Sequence, residues 1–130
     1  MTTNVQVVST RTSFNPDGLN VTASNSTPFV SFDNGVNFYL QADGNIVAYN
    51  AGTPLWASKS NSGTGDPSKL TLRFQDDGNL VEYLSGKPVF ASDTAGKGKK
   101  LLVSDRSPYL IILDADGNIA WSSKQDKKAT

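Results

Sequence analysis

The chain has 130 residues, enough for one domain (1–130) built on a single core. Its 12 Lys and Arg balance its 12 Asp and Glu, so it lacks the basic field that nucleic acid or an anionic membrane surface demands. With no cysteine and no histidine, disulfides, Cys–His and Ser–His nucleophilic sites and zinc centres are excluded.

The first 37 residues alternate short apolar runs with turn residues. Val5 to Val8 reads as a strand, Asn15-Pro16-Asp17-Gly18 as a turn and Leu19 to Thr22 as a second strand. Pro28 to Phe32 is a third, closed by Asp33-Asn34-Gly35. Met1 to Gln6 shows no basic region leading into an apolar core, so a cytoplasmic location is expected, with any release by a non-classical route. No apolar run approaches the roughly 20 residues of a membrane-spanning helix, so no membrane insertion is expected.

Asn37 to Gln41 is the next predicted strand. Asp43-Gly44-Asn45 carries a hairpin signal, since Asp-Gly tolerates positive φ. Ile46 to Tyr49 returns, Asn50 to Pro54 turns again, and Leu55-Trp56-Ala57-Ser58 forms a third short strand. Ser60 to Ser68 is predicted as a polar loop. The same plan then repeats. Leu70 to Phe74 alternates with period two, Asp77-Gly78 turns the chain, Leu80 to Tyr83 returns it, and Val89-Phe90-Ala91-Ser92 closes the unit. Ser92 to Lys99, with Lys97 and Lys99 beside glycines, is expected to be a flexible, solvated linker. A third, eroded copy follows: Leu101 to Val103, Tyr109 to Leu113, the turn Asp114 to Asn118, and Ile119 to Ser122. The tail from Lys124 is expected to fray. Trp56, Phe90 and Trp121 are equivalent positions and are expected to share a core about a common axis. A fixed repeat of this kind means one supersecondary unit used several times.

The repeat is sharpest in Gln41-Ala42-Asp43-Gly44-Asn45-Ile46-Val47-Ala48-Tyr49, which returns as Gln75-Asp76-Asp77-Gly78-Asn79-Leu80-Val81-Glu82-Tyr83. Gln, Asp, Asn, Val and Tyr occupy alternate positions, so on strands flanking a turn they can share one face while Ile46 and Leu80 point to the core. Asp, Gly and Asn are ordinary turn residues; Gln41 and Tyr49 are not explained by the turn. The residues alone leave two readings open, a ligand site and a structural hydrogen-bond ladder. As a site, the set suits a neutral polyol: carboxylate and amides that accept and donate, a phenol, and an apolar spot for ring C–H groups.

Catalysis is not expected. Glycoside hydrolysis needs two carboxyls about 5 to 9.5 Å apart, whereas Asp76 and Asp77 are sequence neighbours and Ala42 stands at the first of these positions in the other copy. A calcium loop starting at Asp114 fails, because its twelfth position is Gln125. In the third copy the five positions align with Asp105, Ser107, Tyr109, Ile111 and Leu113, so the scaffold persists without the polar set.

Gln-x-Asp-x-Asn-x-Val-x-Tyr, repeated and followed by Trp-Ala-Ser, resembles the motif of the bulb-type (monocot) mannose-binding lectin family, with the three-unit plan covering residues 36–123. The resemblance implies an all-β fold, the β-prism II, of three antiparallel four-stranded sheets with pseudo-threefold symmetry and central Trp residues. It implies mannose and mannose-containing glycans as partners, no metal or other cofactor, no enzymatic activity and a homodimer. By it, Asp43 and Asn45 hold the axial O2 of mannose, Gln41 reaches O3, Tyr49 bonds O4 and Val47 packs on C3 and C4. Asp77, Asn79, Gln75, Tyr83 and Val81 do the same in a second site. The chain departs from the family in its empty third copy and in lacking the disulfide of plant members, which suggests a non-plant relative. The N-terminal 35 residues match least and are expected to complete the third sheet. A protein-interaction, inhibitor or antibacterial module on the same scaffold is the alternative, and a glycan array without a mannose signal would favour it.

Overall fold

The computed structural model describes residues 6–8, 11–58 and 66–123, the first three by backbone alone. Val5, the tail from Lys124 and most of the Ser60–Ser68 loop lie outside the described residues. The strands are β1 (Gln6–Val8), β2 (Arg11–Phe14), β3 (Leu19–Thr22), β4 (Val30–Phe32), β5 (Val36–Leu40), β6 (Ile46–Asn50) and β7 (Thr53–Ala57). After a 3₁₀ turn at Pro67–Lys69 come β8 (Leu70–Phe74), β9 (Leu80–Leu84), β10 (Lys87–Ala91), β11 (Lys100–Ser104), β12 (Leu110–Leu113) and β13 (Ile119–Ser122).

Three sheets result, ordered β1-β4-β5-β6-β7, β10-β9-β8-β3 and β13-β12-β11-β2. Each is a repeated three-strand meander plus one strand from the N-terminal segment, and these four strands pair antiparallel throughout. The first sheet carries a fifth strand, because β1 lies parallel to β4 with Gln6 opposite Val30.

The N-terminal segment therefore does more than complete the third sheet. Read in chain order, β2 joins the third sheet, β3 the second and β4 the first. Every sheet is closed by a strand from the N-terminal third of the chain. β2 escaped the sequence reading because Arg11-Thr12-Ser13-Phe14 buries only Phe14, which leaves no alternation to detect.

Period-two patterning builds the core. Val36, Phe38 and Leu40 of β5 are buried, as are Leu70, Leu72 and Phe74 of β8 and Leu101 and Val103 of β11. Burying each such side chain is worth about 1.5–3 kcal/mol. Phe38 is a hub, edge-on to Phe29 and Phe32 at 6.1 Å and to Tyr109 at 6.3 Å. The three equivalent aromatics do not form one central cluster. Trp56 is buried and stacks on Tyr109 at 6.2 Å, while Phe90 and Trp121 are half-buried and meet each other at 6.0 Å.

The linker expectation for Ser92 to Lys99 is overturned. Thr94 is fully buried, its hydroxyl donates to the carbonyl of Gly78 at 2.6 Å, and the N–H of Gly96 donates to the carbonyl of Asp77 at 2.7 Å. The segment is folded onto the turn that carries Asp77 and Asn79. Its lysines are exposed.

Candidate functional site

Both nonamers form the same tight connection. Gly44 donates its N–H to the carbonyl of Gln41 and Gln41 donates to that of Asn45, each at 2.9 Å; Gly78, Gln75 and Asn79 repeat this at 2.9 Å. Gly44 and Gly78 have φ of 91° and 87°, a conformation that excludes most other residues. The Asp carboxylate then closes an Asx turn, with Asp43 accepting from the N–H of Asn45 at 2.9 Å and Asp77 from that of Asn79 at 2.9 Å.

On this frame the five expected residues of each unit come together. Asn45 Nδ2 also donates to Asp43 at 3.3 Å, and the Tyr49 hydroxyl donates to Gln41 Oε1 at 3.1 Å. In the second unit Tyr83 bonds Gln75, whose Nε2 reaches both Asp77 oxygens at 3.3 and 3.4 Å. Ile46 and Leu80 are buried in the core as expected. Val47 and Val81 are only 4% and 3% exposed, so neither offers an open apolar patch.

The two sites differ in how the asparagine is held. Asn79 Oδ1 accepts from the Ser92 hydroxyl at 3.0 Å and from the N–H of Thr94 at 3.3 Å. Those two donors hold the amide by its oxygen. Asn45 Oδ1 is buried, and no donor reaches it among the described residues.

Sequence reading missed a set of serines. Ser58 Oγ accepts from the N–H of Ile46 at 2.9 Å, Ser92 Oγ from that of Leu80 at 3.0 Å and Ser123 Oγ from that of Leu110 at 3.4 Å. Each lies two residues after Trp56, Phe90 or Trp121 and bolts the closing strand to the strand that leaves the turn. The signal was present in the serine two residues after each aromatic, in Trp56-Ala57-Ser58, Phe90-Ala91-Ser92 and Trp121-Ser122-Ser123. A fully buried Glu82 was also missed; it stands where the first unit has Ala48.

The third unit carries no such site. Ser104 donates its N–H to the carbonyl of Tyr109 at 2.8 Å, the bond that Gln41 makes to Asn45. Ser104, not Asp105, thus holds the glutamine position, and the turn is one residue longer. Asp105 is buried and serves packing instead, accepting from Asn34 Nδ2 at 2.8 Å and Arg106 Nε at 3.3 Å. The Asp-Gly-Asn turn persists at residues 114–118, but it joins β12 to β13, away from the equivalent place. Among the described residues no acidic cluster could hold a metal ion.

Solved structures share this architecture. The chain is 28% identical to the monomeric monocot mannose-binding lectins of Gastrodia elata, covering 88% of this chain and 96% of that one with a TM-score of 0.61. It is 27% identical to a lectin from Allium sativum, covering 85% and 90% with a TM-score of 0.51. The lectin of Polygonatum cyrtonema, solved with a monomannoside, matches in fold, at 22% identity over 79% and 87% with a TM-score of 0.56. No family model and no curated protein matches the sequence. In fold and in motif the chain is similar to the bulb-type lectins, and it contains no cysteine.

Proposed function

We propose that the protein is a lectin, a binding protein and not an enzyme, that takes terminal mannose on glycans without a metal through two sites. Gln41, Asp43, Asn45, Val47 and Tyr49 form one; Gln75, Asp77, Asn79, Val81 and Tyr83 form the other. The observation that carries this reading is the recurrence of one hydrogen-bonded set, Tyr to Gln and Asp to Asn, at two equivalent hairpin ends. A purely structural ladder would use up the polar atoms. Here both Asp43 oxygens and Asp77 Oδ2 accept one bond each and keep a lone pair, and among the described residues the Gln41 Nε2 and Asn79 Nδ2 groups find no acceptor, so unused donors and acceptors stand near one another. An axial hydroxyl would satisfy such a pair in both directions, and an epimer lacking it would leave them unpaired.

A single shallow site binds monosaccharide weakly, and two sites per chain, doubled in a homodimer, would supply avidity for branched glycans. Isothermal titration with methyl α-mannoside is expected to give two sites per chain. Asn45→Ala and Asn79→Ala should each remove one, and the double variant should remove both. Undiminished binding by the folded double variant would refute the assignment.

A further inference from the structure

Beside the first site lies a groove of about 590 Å³ that the five motif positions do not account for. Gln41 and Tyr49 form one wall of it, and it continues over the outer faces of β5 and β6 to Asn34, Asn37, Tyr39 and Asn50. Tyr39 stands edge-on to Tyr49 at 5.8 Å and 78°, so the two rings meet where site and groove join. The lining is uncharged: amides able to donate and accept, flanked by the Tyr39 and Tyr49 rings. That is the chemistry of a neutral hydroxylated ring, with polar groups to fix orientation and an aromatic surface for its C–H face.

The second unit has a groove of similar size, about 600 Å³, in the equivalent place. Its lining differs. Arg73 faces Val81 across the hairpin as Tyr39 faces Val47, so a guanidinium replaces the ring. Thr71 replaces Asn37, and Lys69 adds a second cation. Asp17 draws on Arg73 from 3.9 Å.

Resting on the mannose reading above, we propose that the first groove is a subsite for the second, neutral hexose of a mannose-containing oligosaccharide, with Tyr39 as its platform, and that the second site lacks this subsite. The two sites then read different lengths of glycan: the first a disaccharide unit, the second a single residue.

The test separates the sites with Asn79→Ala, which leaves the first, and Asn45→Ala, which leaves the second. Each is titrated with methyl α-mannoside and with α-1,2-, α-1,3-, α-1,4- and α-1,6-linked mannobiosides. In the Asn79→Ala protein at least one disaccharide should bind about fivefold tighter than the monosaccharide, the gain from roughly one net hydrogen bond. In the Asn45→Ala protein the ratio should stay near one. Tyr39→Arg should bring the first site's ratio down toward one, and Arg73→Tyr, an exchange at an exposed position, should raise the second's. Equal ratios at the two sites, or a first-site gain that survives Tyr39→Arg, would overturn the proposal. Failure of methyl α-mannoside to bind at all would instead remove the mannose reading, and the subsite with it.

Discussion

Gly78 and Gly98 meet backbone to backbone: a Cβ placed on either would collide with the carbonyl oxygen of the other. The contact joins the turn of the second site to the start of β11, and so ties the second sheet to the third. The neighbouring bonds, Gly96 to Asp77 and Thr94 to Gly78, depend on the same close approach.

Gly98→Ala is therefore expected to destabilise the protein by several kcal/mol, since backbone, unlike a flexible side chain, cannot step aside. Urea unfolding should show a lower midpoint. Gly96→Ala makes a useful contrast: its φ of 82° carries strain, but no atom lies within 4 Å of a Cβ there. Its cost should be about 1 kcal/mol. Equal costs for the two would mean that the Gly78–Gly98 contact does not constrain the fold.

The three equivalent serines make a second prediction. Removing Ser92 Oγ leaves the buried N–H of Leu80 without its acceptor, which should cost about 1–3 kcal/mol. Ser58→Ala strands the N–H of Ile46 in the same way. The longer Ser123 bond, at 3.4 Å, should cost less. Ser92→Ala has a further consequence, because Asn79 loses one of the two donors that hold its amide. Mannoside affinity at the second site should drop severalfold, measured in an Asn45→Ala background. An unchanged affinity would show that Thr94 alone orients Asn79.

The repeats were legible because two independent periodicities agreed. Alternation over Leu70 to Phe74 placed β8 and its inward face, the repeat carried the same plan to the first unit, and the Asp-Gly turns fixed the hairpins; β6 and β9 each bury three consecutive residues, so alternation did not mark their faces. The N-terminal strands were less legible, since nothing in Arg11 to Phe14 or Leu19 to Thr22 names the distant strand, β11 or β8, with which it will pair. The glycine-rich run after Ser92 has the composition of a linker. Its order comes from Thr94 and from a backbone contact that only glycine permits, and neither has a local signature. For the candidate sites, residue types and spacing were enough to bring the motif residues together. The donors that lock Asn79 Oδ1, which have no counterpart at Asn45 among the described residues, come from loops whose sequences differ between the units.

Asp66 supplies a prediction about pH. Its carboxylate accepts from the Ser68 hydroxyl at 2.7 Å and from the Ser68 N–H at 3.0 Å, capping the 3₁₀ turn that leads into β8. Those two bonds, the hydroxyl's first, hold its pKa below the ordinary 3.8. Because the folded value is the lower one, the stabilisation is present above about pH 3.8 and is lost as pH falls through the folded value. Ser68→Ala removes the larger cause, so an NMR titration should find the Asp66 pKa moved back up toward 3.8. No change would show that the hydroxyl bond is not populated in solution.

The third unit, which lacks the Gln-x-Asp-x-Asn-x-Val-x-Tyr set, holds the first through a bond to a buried carboxylate. Asn34 donates to Asp105 at 2.8 Å across 71 residues of chain, and the Asp105 side chain is 3% exposed. The bond is charge-assisted and joins the turn before β5 to the turn after β11, so it should be worth about 1.5–3 kcal/mol. The two deletions should not be equivalent. Asn34→Ala leaves a buried carboxylate with fewer donors, because among the described residues the exposed Arg106 guanidinium, at 3.3 Å, is the other side chain that donates to it. Asp105→Ala frees an exposed amide that water can satisfy. Of the two polar losses, the one at Asn34 should therefore cost more, although Asp105→Ala adds a small packing deficit of its own. A double-mutant cycle read by urea unfolding should give a coupling of about 0.5–3 kcal/mol. Additive costs would mean that the two turns are neighbours without being partners, and that β2 with its register to β11 fixes the third sheet alone.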